Sequence, residues 1–93
     1  MIVLFNSAAN GSGGNAVPLS QKPGAGGLRI QTNFPAGTTG TVTLQSRIDP
    51  TLPWVTVDTT TANKISQCEF CEYWQAVLSG VAGGGTVTVG LQQ

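Results

Sequence analysis

The stretch Gln67–Trp74, QCEFCEYW, holds the residue types best equipped for chemistry: Cys68 and Cys71, Glu69 and Glu72, and the rings of Phe70, Tyr73 and Trp74. Cys-x-x-Cys is half of a tetrahedral zinc site. The chain has no other cysteine and no histidine, so a four-ligand site could close only between subunits. The same spacing serves thioredoxin-type exchange when the pair opens a helix, whose dipole lowers the thiol pKa; no helical period surrounds it here. A disulfide between residues three apart on an extended strand is excluded, because their Cα atoms would lie ~10 Å apart against a limit near ~7 Å. It would need a turn at Glu69-Phe70. What is left treats the cysteines as small apolar residues, facing opposite sides of a strand or straddling a bend.

The other reactive groups are few. Without histidine the chain has no Ser-His-Asp or Cys-His arrangement and lacks the commonest general base. Glu69 and Glu72 are three apart and point to opposite faces of an extended strand. Asp49 and Asp58 flank the strand around Trp54, where a glycosidase-like separation of ~5–10 Å is conceivable; Asp49 is instead expected to cap the turn DPTLP through its side chain. The glycine runs GSGGN and GAGG lack the lysine and Ser/Thr of a phosphate loop, and no helix follows them. They are expected to be turns. No enzyme activity, cofactor or metal is therefore expected. Trp54, Phe70, Tyr73 and Trp74 could form a carbohydrate-stacking platform, but Trp54 and Trp74 both sit in alternating segments, which favours core and interface anchors.

Ninety-three residues suffice for one domain, expected to span 1–93. Charged residues make up 9% of the chain and sum to zero, against about 25% in typical domains. A neutral surface so poor in charge suits a protein packed against copies of itself or a larger body. No basic patch exists to neutralise phosphates, so nucleic acid is not an expected partner. No apolar run approaches the ~18 residues of a membrane-spanning helix. Met1–Phe5 is apolar but short and lacks a basic flank, so synthesis in a cytoplasm with reduced thiols is expected.

Periodicity of two dominates. Leu28, Ile30, Thr32 and Phe34 alternate with Arg29, Gln31 and Asn33; Val42, Leu44, Ser46 and Ile48 alternate with Thr41, Thr43, Gln45 and Arg47. Trp54–Asp58 and Ile65–Phe70 are expected strands. So is Tyr73–Ser79, with Trp74, Ala76 and Leu78 inward, and Thr86–Leu91, with Val87, Val89 and Leu91 inward. These last two are expected to form a hairpin across Gly80–Gly85. Ala16–Ser20 is a weak edge strand because of Pro18, and Lys22–Gly27 a turn. Asn6–Asn15 is expected to be a flexible loop. Met1–Phe5 is either an ordinary first strand or an N-terminal arm. No window holds a helical pattern over three turns. Seven to nine short strands divided by glycine and proline turns predict an all-β antiparallel sandwich, jelly-roll or immunoglobulin-like.

Two segments carry a family likeness. GTVTLQSRIDPTLPWVTVDTTTA (Gly40–Ala62) resembles the G-x-V-T-L-Q-x-S-x-D-x-x-x-W-V-x-V pattern of small β-sandwich proteins from tailed bacteriophage virions. YWQAVLSGVAGGGTVTVGL (Tyr73–Leu91) is similar to their closing hairpin, Y-x-R-A-x-x-T-G-x-x-G-G-T-V-T-V-x-L. The chain departs from the pattern in the D-P-T-L-P-W loop, where the family has a glycine-rich form, and at Gln75, where a basic residue is frequent. The resemblance implies a structural role on the virion: a capsid cement or decoration protein that clamps capsomers without covalent bonds, made in the host cytoplasm. Its implied partners are other copies of itself, commonly as a trimer, and the major capsid protein. The expected contact residues are Met1, Ile2, Val3, Leu4, Phe5, Phe70 and Tyr73, with the first five adding a strand to a neighbour if they form an arm. The rival expectation is a carbohydrate-binding module of a fibre or tail that stacks sugars on Trp54 or Tyr73.

Overall fold

A computed structural model, describing residues 2–16, 27–69 and 71–92, contains among those residues eight strands and no helix. The strands are β1 (Ile2–Ser7), β2 (Gly11–Ala16), β3 (Leu28–Asn33), β4 (Thr39–Arg47), β5 (Val55–Thr60), β6 (Lys64–Cys68), β7 (Tyr73–Ala82) and β8 (Val87–Gln92). They form two four-stranded antiparallel sheets, a front sheet ordered β1-β8-β3-β6 and a back sheet ordered β2-β7-β4-β5. The first strand pairs with the last, the second with the seventh, the third with the sixth and the fourth with the fifth. That nesting is one long hairpin rolled into a sandwich, the jelly-roll arrangement. The chain is thus an all-β sandwich, and its strand order separates it from the immunoglobulin type.

The alternations place the core. Leu28, Ile30, Val87, Val89 and Leu91 of the front sheet meet Val42, Leu44, Trp74, Ala76 and Leu78 of the back sheet, all buried. Each large side chain buried this way stabilises the fold by about 1.5–3 kcal/mol. Ile48 was expected to continue the inward face of β4, but β4 ends at Arg47 and Ile48 is exposed as the chain turns at Asp49.

Three further expectations are corrected. The hairpin across Gly80–Gly85 does not form: β7 pairs with β2 and β4, whereas β8 pairs with β1 and β3. The chain instead crosses between the sheets at Gly83, whose φ of 102° favours glycine. The crossing is pinned by the Gly85 amide donating to Thr38 Oγ1 at 2.9 Å. Residues 6–15 are not a loop; they complete β1 and most of β2, joined by a tight turn at Ala8–Asn10. Met1–Phe5 does not project as an arm over its described part, because β1 pairs with β8 of the same chain. A bulge between Val3 and Phe5 turns two consecutive side chains, Leu4 and Phe5, into the core. The strand and turn expected at 16–27 lie mostly outside the described residues, as do Met1 and Phe70.

The two flanks of the sandwich differ. On one, β1 and β2 close against each other: a β-carbon at Gly13 would collide with the Leu4 carbonyl oxygen, and the Phe5 ring lies beneath Gly11 and Gly13. Only bare glycine backbone allows this approach. On the other flank, β5 and β6 are the outer strands of the two sheets. They are joined by a short turn in which the Phe34 amide donates to Asn63 Oδ1 at 2.6 Å.

Candidate functional site

The stretch Gln67–Trp74 is not one strand. β6 ends at Cys68 in the front sheet and β7 begins at Tyr73 in the back sheet, so the two cysteines straddle the crossover. Both are free thiols packed against the edge of the core. The Cys71 thiol donates to the Arg47 carbonyl at 3.1 Å, and the Trp74 indole N–H donates to the Cys71 carbonyl at 3.1 Å. Burial pushes the Cys68 thiol above its ordinary pKa; the Asp58 carboxylate adds to the rise and Lys64 opposes it. A protonated thiol is a weak nucleophile and a poor metal ligand. Among the described residues, no group of three or more Cys, Asp or Glu is placed to hold a metal ion.

The two aspartates serve structure. Asp49 caps its turn as expected, accepting from the Thr51 hydroxyl at 2.6 Å and the Thr51 amide at 2.9 Å. Those bonds, the hydroxyl's first, hold its carboxyl below the usual aspartate range. Asp58 straps the open flank: Ser66 Oγ donates to it at 2.6 Å and Lys64 Nζ at 2.9 Å, both from β6, while the Thr59 amide donates at 2.9 Å. The Ser66 bond is the largest cause of its lowered pKa, followed by the Lys64 bond.

In β6 this strap goes with an inversion of the ordinary pattern of a half-buried strand. Ser66 lies opposite Ile30 on the inward face and is buried, whereas Ile65 lies opposite Gln31 on the outward face and is 63% exposed. In β5, Thr60 is buried and Asp58 partly so, while Val55 and Val57 are in water. A bulge at Val57, between the Leu44 and Gln45 rungs, leaves Val57 unpaired; beyond it Thr56 pairs with Gln45 on the outward face, and Val55 pairs with Ser46 at the open margin between the sheets. Ile48 and Leu52 of the β4–β5 loop are exposed on the same flank. Ile48, Leu52, Pro53, Val55 and Cys71 line an open groove of about 370 Å³, and Val57, Ile65 and Cys68 help line a second of about 300 Å³. The first groove reaches β5 at Val55 and the second at Val57, two residues further on. The five exposed aliphatic side chains leave on the order of 400–500 Å² in water, within the ~300–600 Å² of a monomer's largest apolar patch, where function is common.

Arg47 shapes the upper groove. Its Nη1 donates to the Leu52 carbonyl at 3.3 Å, and its guanidinium lies 4.1 Å from the centre of the Trp54 ring. A cation over an indole face is held by the ring quadrupole. Tyr73 lies opposite Arg47 on the outer face of the back sheet and is half-buried. On the next outward rung, Gln75 Nε2 donates to Gln45 Oε1 at 2.5 Å, and Gln45 Nε2 to Thr56 Oγ1 at 3.2 Å.

The residues expected to make contacts are scattered. Leu4 and Phe5 are buried in the chain's own core, Ile2 is partly buried against it, and Val3 is exposed on the outer face of the front sheet. Tyr73 lies on the back sheet, and Met1 and Phe70 fall outside the described residues. The exposed set that the structure does bring together, Ile48, Leu52, Val55, Val57 and Ile65, was missed. Its one sequence signal is the Ile65-Ser66 pair, in which the apolar residue takes the outward position. No protein-family model, curated protein or solved structure matches the chain.

Proposed function

We propose that this protein is a structural component of a bacteriophage virion, a capsid cement or decoration protein that works by adhesion. It is made in the host cytoplasm and acts on the capsid surface with no part for catalysis. Its partners are other copies of itself and the major capsid protein. The observation that carries the reading is the apolar flank along β5, β6 and the 48–54 loop, left in water on a domain of zero formal net charge. The likeness of Gly40–Ala62 and Tyr73–Leu91 to small virion proteins supports the same role. Clamping by many weak copies gains strength through multivalency, so no single contact has to be tight. The test is co-sedimentation of the purified protein with empty phage heads; protein that stays in the supernatant at saturating heads refutes the reading.

A second reading has one observation in its favour. Trp54, Arg47 and Tyr73 gather at one end of the back sheet beside the Gln45–Gln75 amide pair, a set of planar groups suited to a sugar ring. Glycan binding that disappears in Trp54→Ala, with the fold retained, would replace the cement role by carbohydrate recognition on a fibre or tail.

A further inference from the structure

We infer that the flank formed by β5, β6 and the 48–54 loop is the surface through which copies of this chain associate, the flank of one against the flank of the next. The inference rests on the adhesive reading above for the idea that the protein works as an assembly, and it names the surface.

Three observations converge on a second copy as the occupant. The first is the uncovered margin of β5 and β6. Asp58 and Ser66 take the space between the sheets, while Ile65 faces out from the front sheet, Val57 sits unpaired at the bulge and Val55 lies beside Ser46 at the open margin, so the aliphatic residues of both edge strands are left in water. The second is charge. The ions of the flank come in opposite pairs: Lys64 is bonded to Asp58, and Arg47 lies near enough to Asp49 to lower its carboxyl further. The patch therefore offers nothing for a strongly charged partner to match and does not repel its own copy. The third is size. Half of a standard interface is ~800 Å². The exposed aliphatic centre supplies about half of that, and the polar rim of Lys64, Gln67 and Arg47 surrounds it. Packing here is by side chains and not by strand addition. The bulge at Val57 distorts the β5 edge, and Lys64 charges the β6 edge, two devices that block edge pairing.

The test is the solution mass of the full chain by light scattering after size exclusion, over a concentration series. The expected result is an assembly of two or three 9.5-kDa chains. Association should weaken roughly tenfold or more in Ile65→Lys and in Val55→Lys, since central interface residues dominate affinity. Val3→Lys, 46% exposed on the same outer face but on β1, the far edge of the front sheet from β6, should leave association unchanged. Thermal melting of each variant shows whether it folds, and two flank variants guard against one failing. A wild-type monomer throughout overturns the inference. So does an assembly indifferent to both flank variants, or one that Val3→Lys weakens equally. Failure of the virion reading looks different: the flank assembly persists, but the protein does not sediment with heads.

Discussion

Gly11 and Gly13 lie two residues apart on the inward side of β2, yet substituting each with alanine should give opposite results. A methyl at Gly13 runs into the Leu4 carbonyl oxygen. Both partners are backbone, so neither can rotate away, and β1 and β2 must part by roughly 1 Å. Forcing atoms into a filled space costs about 1–3 kcal/mol. A domain of this length has roughly 5–14 kcal/mol in total, and each kcal/mol moves Tm by about 4–8 °C. Gly13→Ala should therefore melt about 4–24 °C lower. At Gly11 the added methyl meets only Phe5 Cε1 at 3.8 Å, an ordinary contact. The backbone there is outside the left-handed region, so alanine removes freedom from the unfolded chain and contributes about 0.4–1 kcal/mol. Gly11→Ala should melt at the wild-type temperature or a few degrees above. The assay is thermal unfolding by circular dichroism on the three proteins side by side. Equal melting temperatures for the two variants would refute the closed flank, and with it the contrast that marks the other flank as open.

Two further outcomes follow from the titrating groups. The folded pKa of Asp58 lies below its unfolded value, so its stabilisation is complete above the usual aspartate range near ~4 and is lost as pH falls through the folded value; Asp58→Asn should melt lower at neutral pH and show a smaller further loss on acidification, measured as Tm against pH. The Cys68 thiol is shifted the other way, so its contribution is present below the unfolded pKa and lost as pH rises through the folded one. In a Cys71→Ala background, iodoacetamide at pH 8 should therefore label folded protein several-fold more slowly than the urea-unfolded chain, read by mass spectrometry.

Where the core faces the middle of a sheet, its positions could be read directly. Leu28, Ile30 and Thr32 alternate with polar residues and are buried as that period requires, and so are Trp74, Ala76 and Leu78. Period fixes which side of a strand faces inward but carries no information about which strand lies beside it. That is why β7 and β8, both correctly faced, were expected to pair with each other when they lie in different sheets. β2 was hidden for another reason. Gly11–Gly14 has almost no side chains to alternate, and its inner face is supplied by Leu4 and Phe5 of β1, a contact local composition cannot show. The site was harder still. That Cys68 and Cys71 straddle a bend between strands could be read as one of two arrangements, but the crossover between sheets in which that bend lies could not. The apolar flank was invisible because Ile65 of β6 faces outward against the usual pattern and β5 is bulged at Val57, so its period of two is interrupted.

The margin at β5 and β6 connects fold and function. An edge strand has one neighbour, and beyond it the two sheets have no further side chains to bury. An ordinary strand would turn its apolar face to this thin margin and leave polar groups outside. Here the margin is filled by a carboxylate that accepts from a hydroxyl, an ammonium and an amide, so that it is neutralised within the chain. Such a strap holds the two sheets together without drawing on the aliphatic residues, which are then left uncovered. The arrangement separates two tasks that a single apolar margin could not perform together: closing the sandwich and presenting a surface for adhesion. Cutting the strap and charging the surface should therefore act on different observables. Asp58→Asn should lower melting and leave association intact wherever the protein is folded, whereas Ile65→Lys should dissolve the assembly and melt like the wild type at dilutions where both are monomeric. If Asp58→Asn weakens association in fully folded protein as much as Ile65→Lys does, the two tasks are not separate.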